Sequence, residues 1–164
     1  MLFRSPDARN YADQCAGRWL VRSNEGARNF KLCTAPEANP EDRKSWTTLL
    51  AHRTDAAIDE ALAFDRGIAV LERVQANARV RLIPWEGGTG TAVPADETAF
   101  AMSLGENRDA TLPFVRIGYT SMVTPRTVID VDFATGRRIV RKVQPVIGYD
   151  RALYATLRTW APSR

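Results

Sequence analysis

The sequence predicts an all-β fold, a partial β-propeller of about three four-stranded antiparallel blades. Three observations carry this reading. Val115, Ile117 and Tyr119 alternate with Arg116 and Gly118, and beyond Pro125 the residues Ile129, Val131 and Phe133 alternate with Val128, Asp130 and Asp132. A period of two marks half-buried strands. Asp130-Val-Asp132 then runs into the turn Ala134-Thr135-Gly136, and Arg137 to Val143 returns as a strand. Strand, Asp, small Gly-containing turn, strand is the pattern of the outer hairpin of a propeller blade. Finally, strand-rich units of roughly 40–50 residues recur about three times, within the range for propeller blades. Their sequences are not alike, so the repeat is read from strand count.

In chain order, residues 1–10 read as a loose lead-in. Tyr11 to Cys15 is a first strand and Ala16-Gly17 a turn. Arg18 to Ser23 carries Trp19 and Val21 on one face. Asn24-Glu25-Gly26 supplies residues that tolerate positive φ. Phe30, Leu32 and Thr34 mark a third strand, Pro36 to Lys44 a charged loop, and Trp46 to Leu50 a fourth strand. Asp55 to Phe64 is harder. It has good helix formers, an acidic start, and Ile58 and Leu62 four apart, so local propensity alone predicts a helix. Gly67 to Val74 is apolar and partly β-branched, and Arg79 to Trp85 alternates Val80 and Leu82 with Arg79 and Arg81. Glu86-Gly-Gly-Thr-Gly90 is a hairpin turn and Thr91 to Val93 a short edge strand. Thr98 to Leu104 opens the third unit, Gly105 to Thr111 is a polar loop, Asp150 to Tyr154 one helical turn, and Ala155 to Trp160 leaves the last blade.

The totals bound the answer. The 164 residues suffice for one domain with a core. Hydrophobic residues make up 45% and charged residues 26%, an ordinary folded balance. Met1-Leu-Phe-Arg4 leads into Ser5-Pro6-Asp7 without the apolar run of a signal peptide, and no segment approaches membrane-spanning length. A cytoplasmic location without membrane contact is expected. Cys15 and Cys33 fit no zinc spacing. They read as two semi-buried thiols on neighbouring strands, and a disulfide would require those strands to set them side by side. The formal net charge is +4. Its densest basic group is Arg137, Arg138, Arg141 and Lys142, which strand alternation divides between two faces. Nucleic acid is not an expected partner, because binding it needs basic charge gathered on one face.

The candidates for chemistry each have a plainer reading. His52, the single histidine, would precede the serine of a triad, whereas α/β-hydrolases order theirs Ser, Asp, His. It reads as a loop histidine after a strand. Ser103, in Ala101-Met-Ser-Leu-Gly105, approximates a nucleophile elbow, but that motif needs a following helix and a loop follows instead. Gly87, Gly88 and Gly90 lack both the phosphate-loop spacing and a helix. Asp130 and Asp132 share a strand face, yet two acids without a cleft are better read as solvated or salt-bridged. Trp19, Trp46, Trp85 and Trp160 are expected to pack between blades. No catalytic residue, cofactor site or metal site is therefore expected.

Gly118-Tyr-Thr-Ser-Met-Val-Thr-Pro125, Asp130-Val-Asp132 and Gly136 resemble the last propeller blade of the oligopeptidase B branch of the prolyl oligopeptidase family, which are serine peptidases. Gly148-Tyr-Asp150 and Tyr154 through Trp160-Ala-Pro162 resemble the crossing out of that propeller. Arg22-Ser-Asn24 and Asn29-Phe-Lys-Leu32 resemble an earlier blade. The resemblance implies an arc of a seven-bladed ring over residues 1–148, with blades at about 11–50, 57–93 and 98–143. It puts the inner strand of a blade, not a helix, at 55–64, and makes 149–164 an exit segment towards an α/β-hydrolase domain. It also implies a role: the propeller caps a Ser-Asp-His centre on that domain, admits short peptides and excludes folded proteins, with cleavage after Arg or Lys in this branch. Because the sequence stops at Arg164, the hydrolase domain is expected to lie outside these residues and the chain alone to be inactive.

An arc is expected to expose two apolar blade faces. Several hundred Å² of apolar surface at about 25 cal/mol per Å² would drive self-association. The alternative is a stand-alone β-rich interaction module without enzymatic activity, and a basic nucleic-acid binder ranks behind both.

Overall fold

The computed structural model describes residues 8–162 and contains twelve strands among them. These are β1 (Asn10–Cys15), β2 (Arg18–Ser23), β3 (Lys31–Pro36), β4 (Thr47–Leu50), β5 (Ala56–Phe64), β6 (Gly67–Val74), β7 (Asn77–Ile83), β8 (Thr91–Ala92), β9 (Phe100–Leu104), β10 (Phe114–Ser121), β11 (Thr127–Asp132) and β12 (Arg138–Val143). They form three antiparallel meanders, β1 to β4, β5 to β8 and β9 to β12. The lead-in expected at residues 1–10 falls mostly on residues 1–7, and the end of the exit segment on 163–164; these lie outside the described residues.

Two apolar layers hold the blades face to face. Cys15, Leu20 and Leu32 of the first blade meet Ile58, Ala63, Ile68, Val70, Ile83 and Trp85 of the second. Phe64, Ala69, Val80 and Leu82 of the second meet Met102, Val115, Ile117, Tyr119, Ile129 and Val131 of the third. The middle blade is thus covered on both faces. This explains why β6 is apolar nearly throughout, while β10 alternates buried Val115, Ile117 and Tyr119 with half-buried Arg116 and Gly118. One connection was not expected. Ala78 of β7 pairs in parallel with Ala101 of β9, joining the second and third blades into a single eight-stranded sheet.

The segment 55–64 is strand, against its helix propensity and in line with the resemblance. β5 carries a bulge between Ile58 and Glu60. A bulge inserts one residue and reverses the facing of those that follow. Ile58 therefore packs towards the first blade and Leu62 towards the third. Apolar residues four apart, which mimic a helix face, serve opposite faces of one strand.

Tight turns set the register. Ala16-Gly17 joins β1 to β2 with φ of 52° and 71°, and Gln75-Ala76 joins β6 to β7 with φ of 47° and 65°. Two positive φ values are those of a type I′ hairpin, which favours Asn-Gly. Gln75 and Ala76 have side chains that resist this region, at a cost of about 1–2 kcal/mol per residue. Ala76→Gly is expected to stabilise the fold by about 0.5–1 kcal/mol once the added freedom of the unfolded chain is offset. Calorimetry should show a Tm rise of a few degrees; a fall would mean that the Ala76 methyl makes contacts worth more than the strain.

Three sequence expectations are corrected here. Cys15 and Cys33 are free, and they lie on β1 and β3 with β2 between them, facing opposite sides of the blade. Of the tryptophans, Trp85 packs between blades. Trp19 faces away from the second blade, Trp46 donates its indole N–H to Pro40 O in a loop, and Trp160 is exposed. Nor are the ends of the arc two apolar exposed faces. The free face of the third blade presents Arg116, Asp130 and Arg141 as an ion-paired group beside Ser103, Gly118 and Thr120. On the first blade Val21, Cys33 and Ala35 are buried.

Candidate functional site

Most of the exposed large apolar side chains gather at one rim, with Tyr11 on β1 and Leu112 before β10 lying apart from it. Turn Gln75-Ala76, the loop from Pro94 to Ala99 and the turn Met122–Arg126 lie there at strand ends, and the chain beyond β12 runs across them. Tyr149 Oη donates to Val123 O at 2.5 Å, and the Arg158 guanidinium donates to Gln75 O of the middle blade. Between these points Arg151–Leu153 forms a single 3-10 turn, whose Asp150 side chain accepts from Ala152 N at 2.9 Å. Tyr149 and Tyr154 stack with centroids 5.4 Å apart. Met122 (88% exposed), Val146, Ile147, Leu153, Tyr154, Leu157 and Trp160 (73%) all face outward here. Such a concentration of large apolar groups marks a surface built to be covered.

Beneath this strip lies a polar knot. The Glu97 carboxylate is 7% exposed and accepts from Tyr119 Oη, Thr124 Oγ1 and, at 2.8 Å, Arg151 Nη2. Tyr119 Oη accepts from Asp96 N, and Asp96 pairs with Arg138 at 2.7 Å. Ser121 Oγ accepts from Val123 N and Thr124 N, which shapes the turn that carries Thr124. Burial alone would raise the Glu97 pKa, but the hydrogen bonds from Thr124 and Tyr119 and the Arg151 charge outweigh it and hold the group below the usual carboxylate range. Burial and the Glu97 carboxylate push the Tyr119 phenol up to about 12, so it remains a donor. A cavity of about 490 Å³ opens beside the knot, lined by Asp96, Ile129, Arg138, Val140, Tyr149 and Arg151 among others.

The residues considered for chemistry are not brought together. His52 lies in the loop after β4, half-buried, with its Nε2 buried and unpartnered. Ser103 lies on β9 in the third blade, opposite Gly118, and a loop follows it. Gly87, Gly88 and Gly90 have positive φ in the loop between β7 and β8 and precede no helix. Arg138 turns to Asp96 and Arg141 to Asp130, so the basic group is divided; Arg137 and Lys142 are exposed. Asp132 caps its turn by accepting from Ala134 N, Thr135 N and Thr135 Oγ1. No cluster of metal-ligating side chains occurs among the described residues. No helix there is long and apolar enough to cross a membrane.

Asp130 is 1% exposed between Arg116 and Arg141, at 2.8 and 2.6 Å. Burial acts to raise its pKa, but the two arginines outweigh it and hold the carboxyl below its ordinary range. A carboxyl depressed in the folded state adds stability above its unfolded pKa of about 3.9 and loses it as the pH falls through the folded value. Acid unfolding followed by circular dichroism is therefore expected to set in below about pH 4, with a shallower acid limb in Asp130→Asn. An identical acid limb in that variant would show that the pairing contributes nothing.

Glu97 carries no signal readable in the sequence, since it sits in a polar loop 22 residues from Tyr119. Its partners, however, belong to the stretch Gly118 to Pro125. That motif is the cradle of a carboxylate.

Comparison with known proteins agrees with this geometry. Residues 2–144 match the family described as prolyl oligopeptidase, N-terminal beta-propeller domain. Over 162 residues the chain is 40% identical to dipeptidyl aminopeptidase BI of Pseudoxanthomonas mexicana, covering 98% of this chain and 22% of that protein. It is 25% identical over 146 residues to Protease 2 of Moraxella lacunata, covering 88% and 20%. Oligopeptidase B from Leishmania major superposes with a TM-score of 0.80 at 25% identity, over 88% of this chain and 22% of that one. The chain thus spans about a fifth of the length of the curated relatives it matches.

Proposed function

The chain belongs to the prolyl oligopeptidase family as part of its N-terminal β-propeller domain, and from this premise we propose that it forms the closing blades of a propeller that gates short peptides to a Ser-Asp-His centre on an adjoining α/β-hydrolase domain. The observation that carries this reading is the apolar strip from Met122 through Val146 to Trp160, lying along the segment by which the chain leaves the last blade. In this reading residues 149–164 are the exit segment and the hydrolase domain covers the strip. The propeller supplies size selection and no reacting group. In isolation the same strip would drive self-association, which light scattering would register as a mass that grows with concentration.

A second reading concerns the cleavage. The branch resemblance favours cutting after Arg or Lys within a short peptide. The 40% identity to a dipeptidyl aminopeptidase favours release of dipeptides from the amino end. One assay separates both points. The 164 residues alone should give no turnover of a short peptide containing Arg or Lys. A polypeptide carrying them with a hydrolase domain should turn it over, and mass spectrometry of the products identifies the cleaved bond. Turnover by the 164 residues alone would overturn the proposal.

A further inference from the structure

We propose that Glu97 is the latch that fixes the direction in which the chain leaves the last blade. Among the described residues, the segment after β12 has two side-chain anchors on that blade, Tyr149 to Val123 O and Arg151 to Glu97. The first is a neutral bond to a turn carbonyl. The second is a charge-assisted bond to a carboxylate that is itself immobilised by Tyr119 and Thr124, side chains from strand β10 and from the turn after it. Arg151 is 54% exposed, and its guanidinium pairs with the nearly buried Glu97 carboxylate. Its position is set by the buried partner.

The arrangement is built for positioning. A carboxylate with free rotamers would lose side-chain entropy on pairing with an exposed arginine and gain little. Glu97 has lost that freedom already, so Arg151 meets a preorganised acceptor at 2.8 Å. The charges facing the latch are Asp96, which is engaged by Arg138, and Arg151 itself. The motif from Gly118 to Pro125 thereby acquires a task beyond forming strand and turn: Tyr119 and Thr124 hold the latch, and Ser121 holds the turn that carries Thr124. The role of Glu97 follows from these contacts whether or not a hydrolase domain covers the rim.

Hydrogen exchange on the full chain tests this, using Arg151→Ala, which removes an exposed side chain and leaves Glu97 with Tyr119 and Thr124, and Glu97→Gln, which removes the charge and keeps the shape. Loss of a charge-assisted bond is expected to speed exchange of the hydrogen-bonded amides of Tyr149, Ala152, Leu153 and Tyr154 about tenfold in Arg151→Ala. Glu97→Gln should show a smaller gain, and Arg151→Lys should restore part of the protection. Exchange in β9, β10 and β11 should stay unchanged. Unchanged exchange at Tyr149 and 152–154 in both variants would overturn the proposal, as would a uniform rise across the third blade, which would make Glu97 a residue of general stability.

Discussion

Replacing Phe64 with alanine is expected to lower the stability of the fold by about 3–5 kcal/mol. Phe64 is fully buried at the end of β5, in the layer between the second and third blades, with its ring 5.0 Å from that of Phe133. Its carbonyl accepts the Trp85 indole N–H at 2.8 Å, and Trp85 belongs to the layer between the first and second blades. One residue thus connects both apolar layers, and β5 and β6 cannot close over the cavity without shifting both. At about 2–4 °C per kcal/mol for a chain of this size, the Tm should fall by roughly 6–20 °C. Phe64→Leu should recover most of the loss. A fall of about 2 °C or less in Phe64→Ala would mean that the blades do not depend on this layer for their packing.

Glu72→Ala should rank next, at about 3 kcal/mol. Glu72 is 1% exposed on β6, and its Oε1 accepts from Arg79 Nε at 2.7 Å and from Arg81 Nη2 at 2.6 Å. It shares a face with Ile68 and Val70, so the group lies on the side of the middle blade that meets the first. Removing the carboxylate leaves two guanidiniums without their counter-charge beside an apolar layer. Arg79 is 27% exposed and can partly turn to water, while Arg81 at 11% cannot, which places the loss near the low end of the range for broken buried pairs. Chemical denaturation would measure it, and a loss below about 1 kcal/mol would show that water and the bond Arg81 already makes to Thr89 O suffice for the two arginines.

How legible this was depends on whether a signal is local. β6 announces itself because both faces are buried, and β10 because one is. The turns at Ala16-Gly17 and Ala134-Thr135-Gly136 carry their own chemistry. β5 was ambiguous because its bulge breaks the period of two, and the family resemblance was needed to recover the strand. The parallel pair Ala78 and Ala101 depends on how two blades meet, which no short window contains. The same holds for the site. The motif from Gly118 to Pro125 stood out in the sequence, whereas the carboxylate it holds did not, because an acid in a polar loop looks the same whether solvated or buried. Trp160, on the segment beyond β12, was expected to pack between blades and is exposed instead, and that exposure is the clue to docking.

Oxidative footprinting of Met122, Tyr154 and Trp160 tests the central claim most directly, comparing the 164 residues alone with a polypeptide that also carries the hydrolase domain. All three side chains are accessible in the structure. If this rim is where the second domain docks, they should be readily oxidised in the first sample at low concentration and protected in the second. Equal oxidation in both samples, with protection appearing at some other face, would contradict the account.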